Sequence, residues 1–92
     1  MKFFHYRVIR DNKIMSNGGV TVCYDEETNK LGVAQCSPHD TYNKRLGRIK
    51  AGGRAKSKDA VEIIGDVESV TDIDDFIKMT FSNKDLARRV RS

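Results

Sequence analysis

Cysteine and proline are scarce in this chain, which has two cysteines and one proline among its 92 residues. Cys23 and Cys36 stand apart from each other, whereas zinc ligands come in close pairs, and two thiols cannot build a disulfide framework. We therefore expect two buried thiols, and we predict no metal site and no cofactor.

Long apolar runs are also missing from the sequence. No stretch approaches the roughly 20 apolar residues of a membrane span. The first residues lack the apolar run of a signal peptide. We expect a cytoplasmic protein that has no membrane partner.

Motifs for catalysis are a third absence. The sequence contains neither a G-x-S-x-G nucleophile turn nor a G-x-x-x-x-G-K phosphate loop, and no His and Cys stand in a recognisable catalytic setting. His5 falls in a predicted strand and His39 in a predicted first helical turn, where histidine is more often structural. The sequence predicts a binding protein that is not an enzyme and has no catalytic residue.

The composition that remains is typical of a small globular domain. Hydrophobic residues make up 38% of the sequence and charged residues 33%, which favours an ordered chain over a disordered one. We predict that residues 1–92 form a single domain. A chain of this size buries only roughly two-thirds of its unfolded surface, so its core is thin and association into oligomers is favoured.

Charge is separated along the sequence. Residues 42–58 contain seven basic residues and no acid, whereas residues 59–75 contain seven acids and no base. A chain that needed charge only for solubility would be expected to intersperse the two signs. The segregation therefore indicates an anionic partner. For any single lysine, a solvated basic face that the acidic segment partly neutralises is the favoured alternative.

Alternating apolar residues predict a sheet in the first third of the chain. In a first strand, Phe4, Tyr6 and Val8 share one side. Val20 to Tyr24 repeat this period in a second strand, and Leu31 to Cys36 form a third. The connections are too short for crossover helices, so the three strands are predicted to form an antiparallel meander. Polar turns or bends are predicted at Asp11 to Lys13, at Asn17 to Gly19 and at Asp25 to Lys30.

The first predicted helix begins at Ser37, because serine can cap a helix and Pro38 fits its first position. Tyr42, Leu46 and Ile49 recur at helical spacing, and we expect them to face the sheet.

A second stripe of this helix consists of small residues. Gly47, Ala51 and Ala55 lie four apart, and they are too small to fill a core. Such a stripe lets another backbone or a ligand approach closely, and we expect it to serve oligomer packing. Gly52 and Gly53 either end the helix or belong to the same close approach.

The last third of the chain predicts a short strand and two more helices. The strand is expected at Val61 to Ile64, a helix from Thr71 with its apolar face at Ile73, Phe76, Ile77 and Phe81, and a last helix capped by Ser82 and anchored by Leu86 and Val90. The order of elements predicts an α+β fold, in which a small antiparallel sheet of three to four strands is followed by, and packed against, helices.

Cations on the first helix are the candidate ligand contacts. Residues three or four apart on a helix are neighbours, so Arg48 can converge on one anion with Arg45 or with Lys44. The planar guanidinium suits phosphate, because it can bind two oxygens at once. Arg54 and Lys56, just beyond the glycines, complete the predicted basic set.

Three stretches of the sequence carry a resemblance to a known family, and they are Gly19 to Val22, Leu31 to Asp40 and Tyr42 to Arg54. They resemble small phage-encoded proteins with the pattern G-V-A-x-C-S-x-x-D-x-(F/Y)-x-(K/R)-x-x-G-R, the Thoeris anti-defence sponges. The acidic segment 59–75 has no counterpart in that pattern.

The resemblance implies a multimer in the host cytoplasm that sequesters cyclic nucleotide immune signals without cleaving them. Cyclic ADP-ribose isomers and small cyclic oligonucleotides are the implied ligands. The carried-over contacts are Arg45, Arg48 and Arg54 for phosphate and Tyr42 for a base or ribose, although Tyr42 fits a core position equally well.

Two other functions remain open from the sequence. One is a nucleic-acid binder that uses the basic helix on the phosphate backbone. The other is a protein that blocks a host defence enzyme directly and presents residues 59–75 as a mimic of nucleic-acid charge.

Overall fold

The chain folds into an antiparallel sheet with two helices, which is the α+β class that the sequence predicts. The computed structural model describes residues 2–58, 60–62, 70–82 and 85–89. In chain order the elements are β1 (Lys2–Arg10), β2 (Lys13–Ile14), β3 (Asn17–Asp25), β4 (Lys30–Thr41), α1 (Lys44–Ala55), β5 (Val61–Glu62), α2 (Val70–Phe81) and β6 (Leu86–Arg89).

The sheet is built on the predicted meander of β1, β3 and β4. Phe4 pairs with Val22 across β1 and β3, and Val22 pairs with Val33 across β3 and β4. The turn between β1 and β2 holds Asp11 and Asn12 at φ values of 51° and 62°, which these two residue types tolerate better than most. On the outside of the meander, β5 pairs with β4, and β6 pairs with β1.

Both faces of this sheet are covered by a helix. The larger core cluster, which includes residues of α2, has the buried members Tyr6, Val20, Val22, Leu31, Ile73, Ile77 and Leu86. The smaller cluster, which includes residues of α1, consists of Cys23, Ala34, Ala51 and Ala55. Because successive residues of a strand point to opposite sides, β3 and β4 supply both clusters.

Helix α1 packs on the sheet through its smallest residues, which corrects its predicted orientation. The sequence predicts that Leu46 and Ile49 face the sheet, but they are 47% and 63% exposed. Ala51 and Ala55 are buried there instead. The helix backbone lies directly against Gly32, where a Cβ would collide with the Ala51 carbonyl oxygen. The small stripe therefore meets the sheet of its own chain, and its predicted role in oligomer packing is wrong.

The start of α1 is also later than predicted. Ser37 does not cap a helix, because β4 continues to Thr41, which pairs with Asn17 of β3. The N-cap is Asn43, whose side-chain oxygen accepts a hydrogen bond of 3.0 Å from the Leu46 amide. Tyr42 thus lies just before the helix, in the connection from β4.

The last third of the chain gives one confirmed helix and one error. Helix α2 matches the predicted helix, and its buried face contains Ile73 and Ile77. The predicted last helix is wrong, because β6 forms there and Leu86 pairs with Val8 of β1. The strand predicted from Val61 is confirmed at Val61–Glu62. Ile63, Ile64 and Val90 lie outside the described residues, as do residue 59 and residues 63–69 of the acidic segment.

An ion pair fastens the last strand to the second helix. Asp74 of α2 accepts a hydrogen bond of 2.6 Å from the Tyr6 hydroxyl and one of 3.0 Å from Arg88 Nε. Burial and the nearby Asp74 carboxylate raise the pKa of Tyr6 far above its ordinary value, so the hydroxyl remains a donor. One carboxylate therefore joins β1, β6 and α2.

Candidate anion-binding site

A polar network occupies the α1 side of the sheet. The Tyr42 hydroxyl lies 2.8 Å from His5 Nδ1 and 2.7 Å from Thr21 Oγ1. It is also 3.3 Å from the Val20 carbonyl oxygen, to which it can donate. Burial raises the pKa of Tyr42, so the phenol stays protonated and links the imidazole to the sheet.

Glycines make room for this network. Gly19 has φ of +123°, and a Cβ there would lie 2.8 Å from Cδ2 of Tyr42. Gly47 lets α1 lie close to β3, because a Cβ on it would collide with Thr21 Oγ1. Tyr42 can therefore lie close to β3 while the first turns of α1 rest on Thr21.

Arg7 occupies a face of the Tyr42 ring. Its guanidinium carbon is 4.6 Å from the ring centroid, a cation–π arrangement. Arg7 Nη2 donates to the Met15 carbonyl oxygen at 3.0 Å. The Nε of Arg7 is buried and has no hydrogen-bond partner within the part of the chain that the structure describes.

Three cations act on His5. The pKa of His5 is lowered first by burial and then by the charges of Lys44, Arg48 and Arg7. Lys44 and Arg48 are one turn apart on α1, while Arg7 comes from β1 two residues after His5. None of the three takes part in an ion pair among the described residues. The charges that act on His5 are therefore positive, which is the electrostatic character of an anion-binding surface.

Phe3 extends the same surface along β1. Residues 3, 5 and 7 of a strand share one side, and Phe3 is 37% exposed. A Cβ on Gly52 of α1 would lie 3.7 Å from Cζ of Phe3, so the ring lies beside the helix. We call Phe3, His5, Arg7, Lys44 and Arg48 the basic patch.

A small cavity adjoins the network between the end of β4 and the first half of α1. Its volume is about 180 Å³, and its lining includes Thr21, Cys36, Asp40, Tyr42, Gly47 and Lys50. Pockets that enclose small organic ligands measure roughly 300–1,000 Å³. This cavity is too small to enclose a nucleotide.

The predicted contacts are divided between the two ends of α1. Tyr42, Lys44 and Arg48 come together around His5. Arg54 lies in the last turn, where its Nη1 donates to the Val33 carbonyl oxygen at 2.7 Å. Lys56 faces the acidic loop after β3 and lines a cleft with Asp25, Glu26 and Glu27.

Arg45 is exposed on α1 and stands outside the basic patch. Sequence reasoning missed His5, Arg7, Thr21 and Phe3. Alternation along β1 puts Phe4, Tyr6 and Val8 on one side and therefore Phe3, His5 and Arg7 on the other. Only the pairing of β1 with β3 and the position of α1 show that this second side meets Tyr42.

Cys23 is buried as predicted, whereas Cys36 is only partly buried. Within the described ranges, no group of His, Cys, Asp and Glu is arranged to hold a metal ion, and no helix is long and apolar enough to span a membrane.

No protein-family model, curated protein or solved structure matches this chain.

Proposed function

We propose that this protein binds a small phosphorylated ligand on the basic patch and holds it without chemical change. The observation that carries the proposal is the convergence of Arg7, Lys44 and Arg48 on His5. Phosphate oxygens accept charge-assisted hydrogen bonds from guanidinium and ammonium groups, which are roughly twice as strong as neutral ones. An anion on the patch would also offset the positive charge that lowers the pKa of His5.

A nucleotide fits the patch better than a free phosphate does. Phe3 lies on the same side of β1 as Arg7 and exposes part of its ring, which can stack against a base. Tyr42 has its hydroxyl in the polar network and Arg7 against its ring, so we assign it to positioning His5 and Arg7. A strand rises about 3.3 Å per residue, so Phe3 and Arg7 lie about 13 Å apart along β1. That span suits a ligand larger than a mononucleotide.

The ligand class that we propose is a cyclic nucleotide immune signal, either a cyclic ADP-ribose isomer or a cyclic oligonucleotide. The protein would act as a phage anti-defence sponge in the host cell. The resemblance to Thoeris anti-defence sponges motivates this choice of class. His5 Nδ1 is engaged by Tyr42 and the Tyr42 phenol is held protonated, so neither group is set up as a nucleophile. Binding alone is sufficient for such a role.

Native mass spectrometry of the protein with a panel of cyclic nucleotides tests the proposal. We expect intact ligand masses on the protein and unaltered ligand after denaturation. Replacing Arg48 by Ala removes one charge-assisted contact, which is worth about 1.5–3 kcal/mol, or about ten- to a hundredfold in affinity. Arg54→Ala is the matched control at the other end of α1, and it should bind as the wild type does. Equal losses of affinity in both variants would mean that the ligand does not bind specifically at the basic patch.

Nucleic-acid binding is the second candidate, and the exposure of Arg45 and Lys50 beside the patch favours it. A nucleic acid that covers these cations as well as Arg48 would release several counterions, so its affinity would fall steeply with salt. A cyclic nucleotide that meets only the patch should depend less on salt. Fluorescence anisotropy with a labelled single strand, measured across a salt series, separates the two.

Direct inhibition of a host enzyme remains a proposal that depends on residues 59–75, of which the structure describes 60–62 and 70–75.

A further inference from the structure

The outer face of α1 combines exposed apolar side chains with positive charge. Leu46 and Ile49 are 47% and 63% exposed. Arg45 lies one turn before Ile49, and Lys50 lies one turn after Leu46, so the two cations flank the apolar pair. None of these four residues belongs to the basic patch.

The outer face of α2 carries two carboxylates, with the exposed Lys78 of the last turn at its border. Asp72, Asp75 and Met79 follow each other at spacings of three and four and therefore share one side of the helix. All three are exposed, and the side chain of Met79 is 79% exposed. An apolar side chain thus lies next to two carboxylates, which matches the pattern on α1.

The two helices cannot bring these faces together within one molecule. Helix α1 covers the side of the sheet that carries Cys23 and Ala34, whereas α2 covers the side that carries Val20 and Val22. Both outer faces therefore point away from the sheet in opposite directions. They can meet only when α1 of one copy packs against α2 of another.

We propose that the protein associates with itself in a head-to-tail manner, with α1 of one copy packed on α2 of the next. Each contact leaves an unused α1 at one end and an unused α2 at the other. Such a heterologous contact continues into a ring or a filament and does not stop at a twofold dimer. The inference stands on residues outside the basic patch, so it does not depend on the ligand.

The contact should be weak and sensitive to salt. Two helices of 12 residues are each about 18 Å long, so their packing buries less area than the roughly 1,200–2,000 Å² of a stable interface. Complementary charge then supplies much of the attraction, and surface charges are screened beyond about 10 Å at 0.1 M salt. We therefore expect association that rises with protein concentration and falls with added salt.

Sedimentation velocity of the full chain over a concentration series, at about 0.05 M and about 0.5 M salt, measures this association. We expect the mean mass to rise with concentration at low salt only. Asp72→Lys with Asp75→Lys should abolish the rise, and so should Arg45→Glu with Lys50→Glu. The matched control, Glu26→Lys with Glu27→Lys in the exposed loop after β3, makes the same change of net charge as the Asp double variant and should still associate.

A mixture of the two charge-reversed proteins gives the deciding result. The Asp-reversed protein has two basic outer faces and the Arg/Lys-reversed protein has two acidic ones, so each alone repels itself. Mixed together they regain a complementary pair at every contact, and we expect mixed oligomers in which the two proteins alternate. Circular dichroism of each variant verifies that it is folded. A monomer under all conditions, or association that survives both reversals, would overturn the inference.

Discussion

His5 is the residue at which charge, burial and the polar network meet. The charges of three cations lower the pKa of His5, and its Nδ1 lies within hydrogen-bond distance of the Tyr42 hydroxyl. In the free protein these cations and the partial burial favour the neutral imidazole. A phosphate bound on the basic patch would favour the imidazolium, so ligand binding and proton uptake at His5 should be coupled.

This coupling predicts the direction of the pH dependence. The pKa of His5 in the free protein lies below its ordinary value of 6.5, and a bound anion raises it. Affinity for the anion should therefore increase as pH falls through the higher pKa of the complex, and level off below the pKa of the free protein. Titration calorimetry of a cyclic dinucleotide at several pH values measures this trend.

His5→Gln is the variant that isolates the effect, because glutamine can keep a hydrogen bond to Tyr42 but does not titrate. Its affinity should change little over the same pH range. The coupling would be wrong if the wild-type affinity did not change with pH. It would also be wrong if the affinity of the variant changed with pH as steeply as that of the wild type.

In helix α1, replacing Gly47 and replacing Gly53 by alanine should change the stability of the protein in opposite directions. Gly47 lies against Thr21, whereas an added Cβ at Gly53 has no atom within 4 Å. Alanine at 53 should stabilise the protein by up to about 1 kcal/mol, because glycine disfavours a helix interior by that amount. Alanine at 47 should destabilise it by about 1–3 kcal/mol, since the methyl group forces α1 away from the sheet.

Urea unfolding of Gly47→Ala and Gly53→Ala measures both changes against the wild type. Both substitutions give the same gain in helix propensity, so their difference reports the contact with Thr21. If the two variants proved equally stable, the close packing of α1 on β3 would be wrong.

Periodic patterns in the sequence were sufficient to predict β1, β3 and α2. They failed where pairing with a strand distant in the sequence determines the secondary structure. Ser37 and Pro38 have the residue types of a helix start, yet the partner strand β3 extends β4 through them to Thr41. The sequence predicts Leu86 in a last helix, but Leu86 pairs with Val8 at the edge of β1 and belongs to β6. Strand partners far apart in the chain leave no local signal.

Local patterns in the sequence likewise predict one part of the candidate site and miss the other. Lys44 and Arg48 are neighbours on one helix, so their spacing alone predicts that they can share an anion. His5 and Arg7 lie about forty residues earlier in the sequence. Their approach to α1 depends on the register between β1 and β3, which no spacing within either strand reveals.

At the scale of the whole molecule, Asp74 connects parts of the chain that are distant in sequence. It accepts from Tyr6 of β1 and from Arg88 of β6. Asp74→Asn should lower the free energy of unfolding by about 2 kcal/mol, because it removes the charge from two hydrogen bonds and leaves Arg88 without its ion-pair partner. The exposed Asp75 offers the control Asp75→Asn, for which we expect a change within about 0.5 kcal/mol.

Chemical unfolding, followed by circular dichroism, compares these two variants. A large loss at Asp74 with one cooperative transition would show that β6 unfolds together with the rest of the sheet. A stability equal to that of Asp75→Asn would mean that the Tyr6, Asp74 and Arg88 contacts contribute little.

The close approach of α1 to the sheet has a consequence for how this sequence can diverge. Gly32 lies against Ala51 and Ala55, and Gly47 lies against Thr21, so a Cβ on either glycine would collide with these neighbours. Substitution at either glycine is tolerated only when a neighbour becomes smaller or the helix shifts as a body. Among homologues, the columns of the two glycines should therefore remain small or change together with the residues that they contact, while the outward columns of Leu46 and Ile49 are free of this constraint.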